Sequence, residues 1–254
     1  MDDLSGPSPL ARARDLGPAI AAAAETIEAT RRIPEPLLSE LHGSRLFRML
    51  LPRSCDGDQV DPSTYVAAVE EVARHDGSVG WNVFVANSAA LIAAFLELEA
   101  AREIFADPCT IVAWGPPNPS RAQAVPGGYR VSGTWDFASG CRQANWMGAH
   151  CQVVEPDGSL RRNRYGRPAV RTLLFPARHA TLIDTWNTIG MRGTGSDSFS
   201  VSGVLVPEAF STTREGPTCA ASAGRSTPSP CRASMRRACR GWRWASRGPC
   251  SMPS

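Results

Sequence analysis

Ser139 is the lone hydroxyl in the run Trp135-Asp136-Phe137-Ala138-Ser139-Gly140-Cys141, with aromatic rings before it and Asn145-Trp146 closing the segment. Upstream, Gly127-Gly128 permits a tight turn, and Tyr129 and Val131 open an alternation that suits a half-buried strand. A hydroxyl among rings and glycines fits a flat ligand with a polar edge. Rings cover its face, the hydroxyl reaches its edge, and glycine lets the backbone come close. The plainer reading of Ser139 is a strand-end cap. An acyl nucleophile is not expected, because the run is not a Gly-x-Ser-x-Gly elbow and no His follows as an orderable base.

Other chemistry has less support. His42, His75 and His179 form no metal-like spacing with carboxylates. His150 follows Trp146 in a strand-like run and could line a site, although a structural histidine is the preferred reading. Arg192-Gly193-Thr194-Gly195-Ser196 has the look of a phosphate loop but lacks the Gly-Lys-Ser/Thr ending and a strand-to-helix context. Cys55, Cys109, Cys141 and Cys151 are scattered and read as reduced, mostly buried thiols. Cys219, Cys231, Cys239 and Cys250 lack CxxC spacing.

Three segments in order carry a family resemblance: Ser78-Val79-Gly80-Trp81; the Ser139 segment; and Asp184-Thr185-Trp186-Asn187-Thr188-Ile189-Gly190-Met191-Arg192-Gly193-Thr194-Gly195-Ser196, running on to Val204-Leu205-Val206-Pro207-Glu208. Residues 10–212 resemble the acyl-CoA dehydrogenase superfamily, in its flavin-dependent monooxygenase branch of two-component hydroxylases and dibenzothiophene monooxygenases. The resemblance implies a flavin cofactor, FAD or FMN, held by the backbone of Ala113, Trp114 and Gly115 and by Phe137, Ser139 and Trp186, with the loop 192–196 at the flavin site. Ser139 is the implied catalytic residue, beside flavin N5, where it would hydrogen-bond a reduced flavin or its oxygen adduct. Phe137 and Trp186 would wall the ring from water; a core role is the competing reading of Trp186. No metal is implied. The implied partners are a small-molecule substrate and a separate flavin reductase, with a homotetramer in the intact family. The implied activity is that of a flavin-dependent oxidoreductase, the oxygenase component of a two-component monooxygenase hydroxylating a small organic substrate. An FAD-using acyl-CoA dehydrogenase is the alternative, and a truncated inactive product or an Arg-tailed binding protein stands beside both. Several aromatic hydroxylases of the branch carry a substrate-binding His on the central helix, where this chain has Asn87-Ser88-Ala89.

The elements needed to position these residues are legible in the periodicity. Residues 10–109 read as a helical domain. Gly17-Pro18 is expected to interrupt the first helix, and Asp61-Pro62 is a cap followed by proline at the first helical position. Asp76-Gly77 is a stop. Val79–Phe95 is apolar nearly all round and is expected to be a buried central helix. Residues 110–212 read as a β domain with strands near Ile111–Trp114, Tyr129–Phe137, Trp146–Val154, Thr172–Phe175, Thr181–Trp186 and Phe199–Val206. The fold class is therefore α+β: a helical domain followed by an antiparallel β-barrel or sandwich. The family's C-terminal four-helix domain is expected to be missing.

Residues 1–9 read as a disordered N-terminus, with two Asp and no apolar core to make a secretory signal. No apolar run reaches the roughly 18 residues of a membrane span, so a cytoplasmic protein is expected, with no membrane and no nucleic-acid partner. All 27 basic residues are Arg. Residues 1–213 hold 19 Arg and 23 acids, while Arg214–Ser254 holds eight Arg and one acid, so the net charge of +3 comes from the tail. That tail has no Leu, Ile, Val, Phe or Tyr and cannot bury enough surface to offset its ordering entropy. Residues 213–254 are thus expected to be disordered, either an Arg-rich arm for a polyanion or, preferred, an out-of-frame translation beginning near residue 214.

Overall fold

The computed structural model describes residues 6–213; the Arg- and Cys-rich segment from Arg214 onward, and the expectations attached to it, lie outside them. Six α-helices precede an eight-stranded sheet. The helices are α1 (Pro9–Ala22), α2 (Ala24–Thr30), α3 (Leu37–Gly43), α4 (Pro62–His75), α5 (Gly77–Ala90) and α6 (Leu98–Ile104).

Local chemistry sets their ends. Ser8 caps α1 and Asp61 caps α4, where the Asp61 Oδ1 atom accepts from the Ser63 and Thr64 amides at 2.9 and 3.1 Å. Bonds from the Ser63 and Thr64 hydroxyls, with these from the amides, hold the Asp61 carboxyl well below the usual carboxylate range. Asp76 ends α4, and its side chain also accepts from the Val79 amide at 2.8 Å to start α5. One prediction fails: α1 runs through Pro18, and the break falls at Ala23. The buried face Pro9, Ala13, Gly17 and Ile20 packs on α4 so closely that a Cβ on Gly17 would lie 2.5 Å from the His75 Nε2 atom. That packing offsets the hydrogen bond lost at the proline.

Helix α5 continues into a 3-10 turn at Leu91–Phe95. The whole run, Gly77–Phe95, is 19 residues with mean hydropathy 1.4, long and apolar enough to cross a membrane by length and composition. This corrects the expectation that no such run exists. Within the fold 61% of it is buried, as expected for a central helix.

The strands are β1 (Val112–Trp114), β2 (Arg121–Val125), β3 (Gly128–Trp135), β4 (Trp146–Val154), β5 (Val170–Pro176), β6 (Thr181–Ile183), β7 (Ser198–Pro207) and β8 (Ser211–Thr212). They form one sheet in the order β6-β7-β3-β2-β4-β5-β8, with β1 also on β4. The helical-then-β order is as expected, but the sheet is mixed and open, not a closed antiparallel barrel. Both β1 and β2 run parallel to β4, the first opposite Trp146–Gly148 and the second opposite Gln152–Val154. They lie end to end along one edge of β4 without reversing, so both pairings come out parallel. Strand β2 was missed in the sequence because Arg121-Ala122-Gln123-Ala124 lacks the β-branched and aromatic residues that mark strands.

Buried side chains fall in three clusters. One lies among α1 to α5, and one within the sheet around Trp135, whose ring stacks on Phe199 at 5.2 Å. The third, which includes Leu51, Ile92, Ile104, Val112 and Leu174, joins helices to sheet.

Candidate functional site

Strand β3 ends at the fully buried Trp135, and the chain then bends over the loop that precedes β7. Two backbone bonds fasten the bend to that loop: Ala138 N to Asp197 O at 2.9 Å and Gly140 N to Thr194 O at 2.8 Å. Ala138 is fully buried, which throws its neighbours outward. Phe137 adopts φ 58°, uncommon for a bulky residue, and leaves its ring 61% exposed. Ser139 is half-buried. At Gly140, with φ 77°, a Cβ would press to 3.2 Å from the Asn82 Oδ1 atom of α5.

Helix α5 brings Trp81 to the same place. Its indole Nε1 donates to the Ser139 Oγ atom at 2.9 Å while its ring stacks on Phe84 at 5.4 Å. One residue on, the buried Asn82 donates to the Gly193 carbonyl at 3.0 Å and leaves its Oδ1 atom buried without a partner. Behind Ser139 stand two buried hydroxyls. Ser196 Oγ lies 2.7 Å from Ser139 Oγ and 2.7 Å from Thr194 Oγ1, and Thr194 Oγ1 donates to the Met191 carbonyl at 2.9 Å. The Arg192–Ser196 loop is thus a 3-10 turn bounded by left-handed Met191 and Gly195. It presents hydroxyls to Ser139.

Trp186 meets Phe137 edge to face, with centroids 6.2 Å apart, and donates its indole to the Met191 carbonyl at 3.0 Å. A charged lattice holds that segment. The buried Asp197 carboxylate accepts from the Thr185 and Trp186 amides and from Arg142. Arg142 also reaches Asp184, which takes two 2.6 Å bonds from Arg31. The Arg31 bonds hold the Asp184 carboxyl below its ordinary range, and the Asp197 bond raises the Arg142 guanidinium.

The predicted residues therefore gather unevenly. Ser139, Phe137 and Trp186 share one exposed face. Gly115 lies against the same bend, since a Cβ there would fall 2.2 Å from the Asp136 carbonyl oxygen. The side chains of Ala113 and Trp114 turn away from it, Ala113 buried in the sheet cluster and Trp114 packed over Gly148 and edge-on to His150, so that a share in the site falls to their backbone. His150 is itself buried, with its Nδ1 atom 2.9 Å from the Thr172 hydroxyl, a structural placement. Asn87 is wholly buried, donating to the Leu46 and Val83 carbonyls and accepting from the Leu50 amide. The Cys141 and Cys151 thiols are buried and pushed up to about 12 by desolvation. The resemblance put the loop 192–196 at the site without singling out the Thr194 and Ser196 hydroxyls, and sequence reasoning missed Trp81 as a member of the site and the Arg31–Asp184–Arg142–Asp197 lattice altogether. The spacing of hydroxyls in Thr194-Gly195-Ser196 was the available signal.

A flat conjugated ring with a hydrogen-bonding edge fits this donor set. Aromatic rings flank the place, a hydroxyl stands between them, and the backbone closes in where glycine admits it. Comparison with known proteins points the same way. Residues 14–104 match the family Acyl-CoA dehydrogenase, N-terminal domain. The chain is 31% identical over 192 residues to the oxygenase subunit HsaA of a flavin-dependent monooxygenase from Rhodococcus jostii, covering 75% of this chain and 48% of that one. It is 30% identical over 187 residues to an indole-3-acetate monooxygenase from Pseudomonas putida, covering 73% and 46%. Among solved structures, XiaF from a Streptomyces species, in complex with FADH2 and glycerol, superposes with a TM-score of 0.74 at 28% identity, covering 82% of this chain and 51% of that one. The chain spans about half the length of the relatives it matches.

Proposed function

For a chain whose residues 14–104 match the acyl-CoA dehydrogenase N-terminal domain and whose relatives include oxygenase components of flavin-dependent monooxygenases, we propose a share in the same chemistry. It binds reduced flavin delivered by a separate reductase and hydroxylates a small organic substrate. When bound, reduced flavin supplies two electrons to O2, so that one oxygen atom enters the product and the other leaves as water. The residues named here bind and orient. Phe137 and Trp186 offer ring surface, Ser139 offers its hydroxyl oxygen to the polar edge, and Trp81 fixes that oxygen from the other side. Met191, with its 43% exposed side chain, and the exposed ring of Trp81 leave this face open for substrate or for further protein to cover.

The observation that carries the reading is the Ser139 hydroxyl held between the Trp81 indole and the Ser196 hydroxyl beside the Phe137–Trp186 pair. The relatives' names favour a monooxygenase over a dehydrogenase. The test is an anaerobic titration of the purified chain with reduced FMN and reduced FAD, read by tryptophan fluorescence. Saturable binding of at least one flavin is expected, weakened about tenfold or more in Phe137→Ala. No saturable binding of either flavin would sink the proposal.

A further inference from the structure

The hydroxyls of Ser139, Ser196 and Thr194 form a chain with a direction. The direction is set by atom type at the Met191 end: the carbonyl can accept and never donate, so the Thr194 hydroxyl, 2.9 Å away, gives its proton there. Each hydroxyl has one proton. Having spent its own, Thr194 Oγ1 accepts from Ser196 Oγ at 2.7 Å, and Ser196 Oγ in turn accepts from Ser139 Oγ at 2.7 Å. Ser139 also accepts from the Trp81 indole at 2.9 Å. What it has left for the exposed side is a lone pair.

Ser196 and Thr194 are 4% and 2% exposed and stand behind Ser139, screened from the open face. We infer that they are positioning residues: they turn the Ser139 proton inward, so the site presents an acceptor and selects a ligand edge that donates. Resting on the flavin reading, this assigns the preference to reduced flavin, whose N5 carries a hydrogen, over oxidised flavin, whose N5 bears only a lone pair. Thr194 turned toward Ser196 would reverse the chain, and Ser139 would then donate outward. The bond to the Met191 carbonyl is what opposes that reversal.

Two measurements test this. The first is flavin-independent: the proton shift of the Trp81 indole, assigned with Trp81→Phe, reports the Ser139 oxygen it binds. It should move in Ser196→Ala and Thr194→Val and stay near wild type in Thr194→Ser, which keeps the hydroxyl. Ser198→Ala is the control, since the Ser198 hydroxyl is buried nearby but donates to Asp136. The second is the ratio of dissociation constants for oxidised and reduced flavin. Ser196→Ala should shrink that ratio about three- to tenfold, the worth of one hydrogen bond, and Thr194→Ser should leave it at the wild-type value. An unmoved indole, or an unchanged ratio in Ser196→Ala, overturns the inference. If the indole moves but the wild type binds neither flavin, the flavin reading falls and the assignment of the ligand falls with it, while the directed chain stands.

Discussion

Arg31, in left-handed backbone at the end of α2, forms a two-pronged ion pair with Asp184 beyond β6, both nitrogens 2.6 Å from carboxylate oxygens, across 153 residues of sequence. The same guanidinium donates to the Trp186 carbonyl at 2.9 Å. One side chain from the helical region thus sets where a ring of the candidate site stands. Arg31→Ala should release the segment around Trp186, seen as faster limited proteolysis between residues 185 and 192 and weaker reduced-flavin binding. Arg32→Ala, one residue on, should do neither. The pair also has a pH signature. Asp184 has its carboxyl lowered by Arg31, so its contribution is present above the ordinary carboxylate value of 3.8 and is lost as pH falls through the lower folded value. Arg31→Ala should abolish that part of the acid dependence.

His42 acts in the same sense at higher pH. Burial pushes its imidazole below the ordinary 6.5, against the pull of Asp107 and Glu35. Its Nδ1 atom is buried without a partner, and its ring tilts on Phe47 at 5.0 Å. The unfolded chain therefore takes up the proton first, and stability falls as pH drops through 6.5. The melting temperature should drop between about pH 7.5 and about pH 5.5, and His42→Gln should flatten that drop. An equal drop in the variant would remove His42 as its cause.

Gly193 and Gly190 separate packing from mere loop composition. A Cβ at Gly193 would lie 2.1 Å from the Ile27 Cγ2 atom and 2.9 Å from the Ser78 Cβ, whereas at Gly190 it would meet nothing within 4 Å. Gly193→Ala should cost about 1–3 kcal/mol in urea unfolding and move the Thr194 and Ser196 hydroxyls with the loop. Gly190→Ala should be close to neutral.

Arg48 is 3% exposed and donates to the carbonyls of Cys55, Asp56, Phe105, Asp107 and Pro108. Five carbonyls need the planar fork of a guanidinium. Arg48→Lys keeps the charge but cannot satisfy them, so denaturant unfolding should show a loss of about 3 kcal/mol or more.

Much of the scaffold was readable because its signals are local. Asp61-Pro62 and Asp76-Gly77 act through bonds within three residues, and the strand Trp146–Val154 announces itself by composition. What escaped depends on long-range contact. Helix α1 survives Pro18 because α4 buries Gly17, and β2 is a strand because β3 and β4 pair with it. In the site, Phe137, Ser139 and Trp186 were found by residue type and resemblance. Trp81 reaches Ser139 across 58 residues and Ser196 reaches it across 57, separations that no window of the sequence shows.

Asp76 caps the end of one helix and the start of the next, so there is no linker between α4 and α5 to absorb a change in length. Successive helical residues are set about 100° apart around the axis. The five-residue count from Asp76 to Trp81 therefore works as an angular index, fixing the compass bearing of the indole relative to Ser139. Adding or removing one residue in that count would swing the ring about 100° away and leave the hydroxyl facing a different side chain, with every other part of both helices intact.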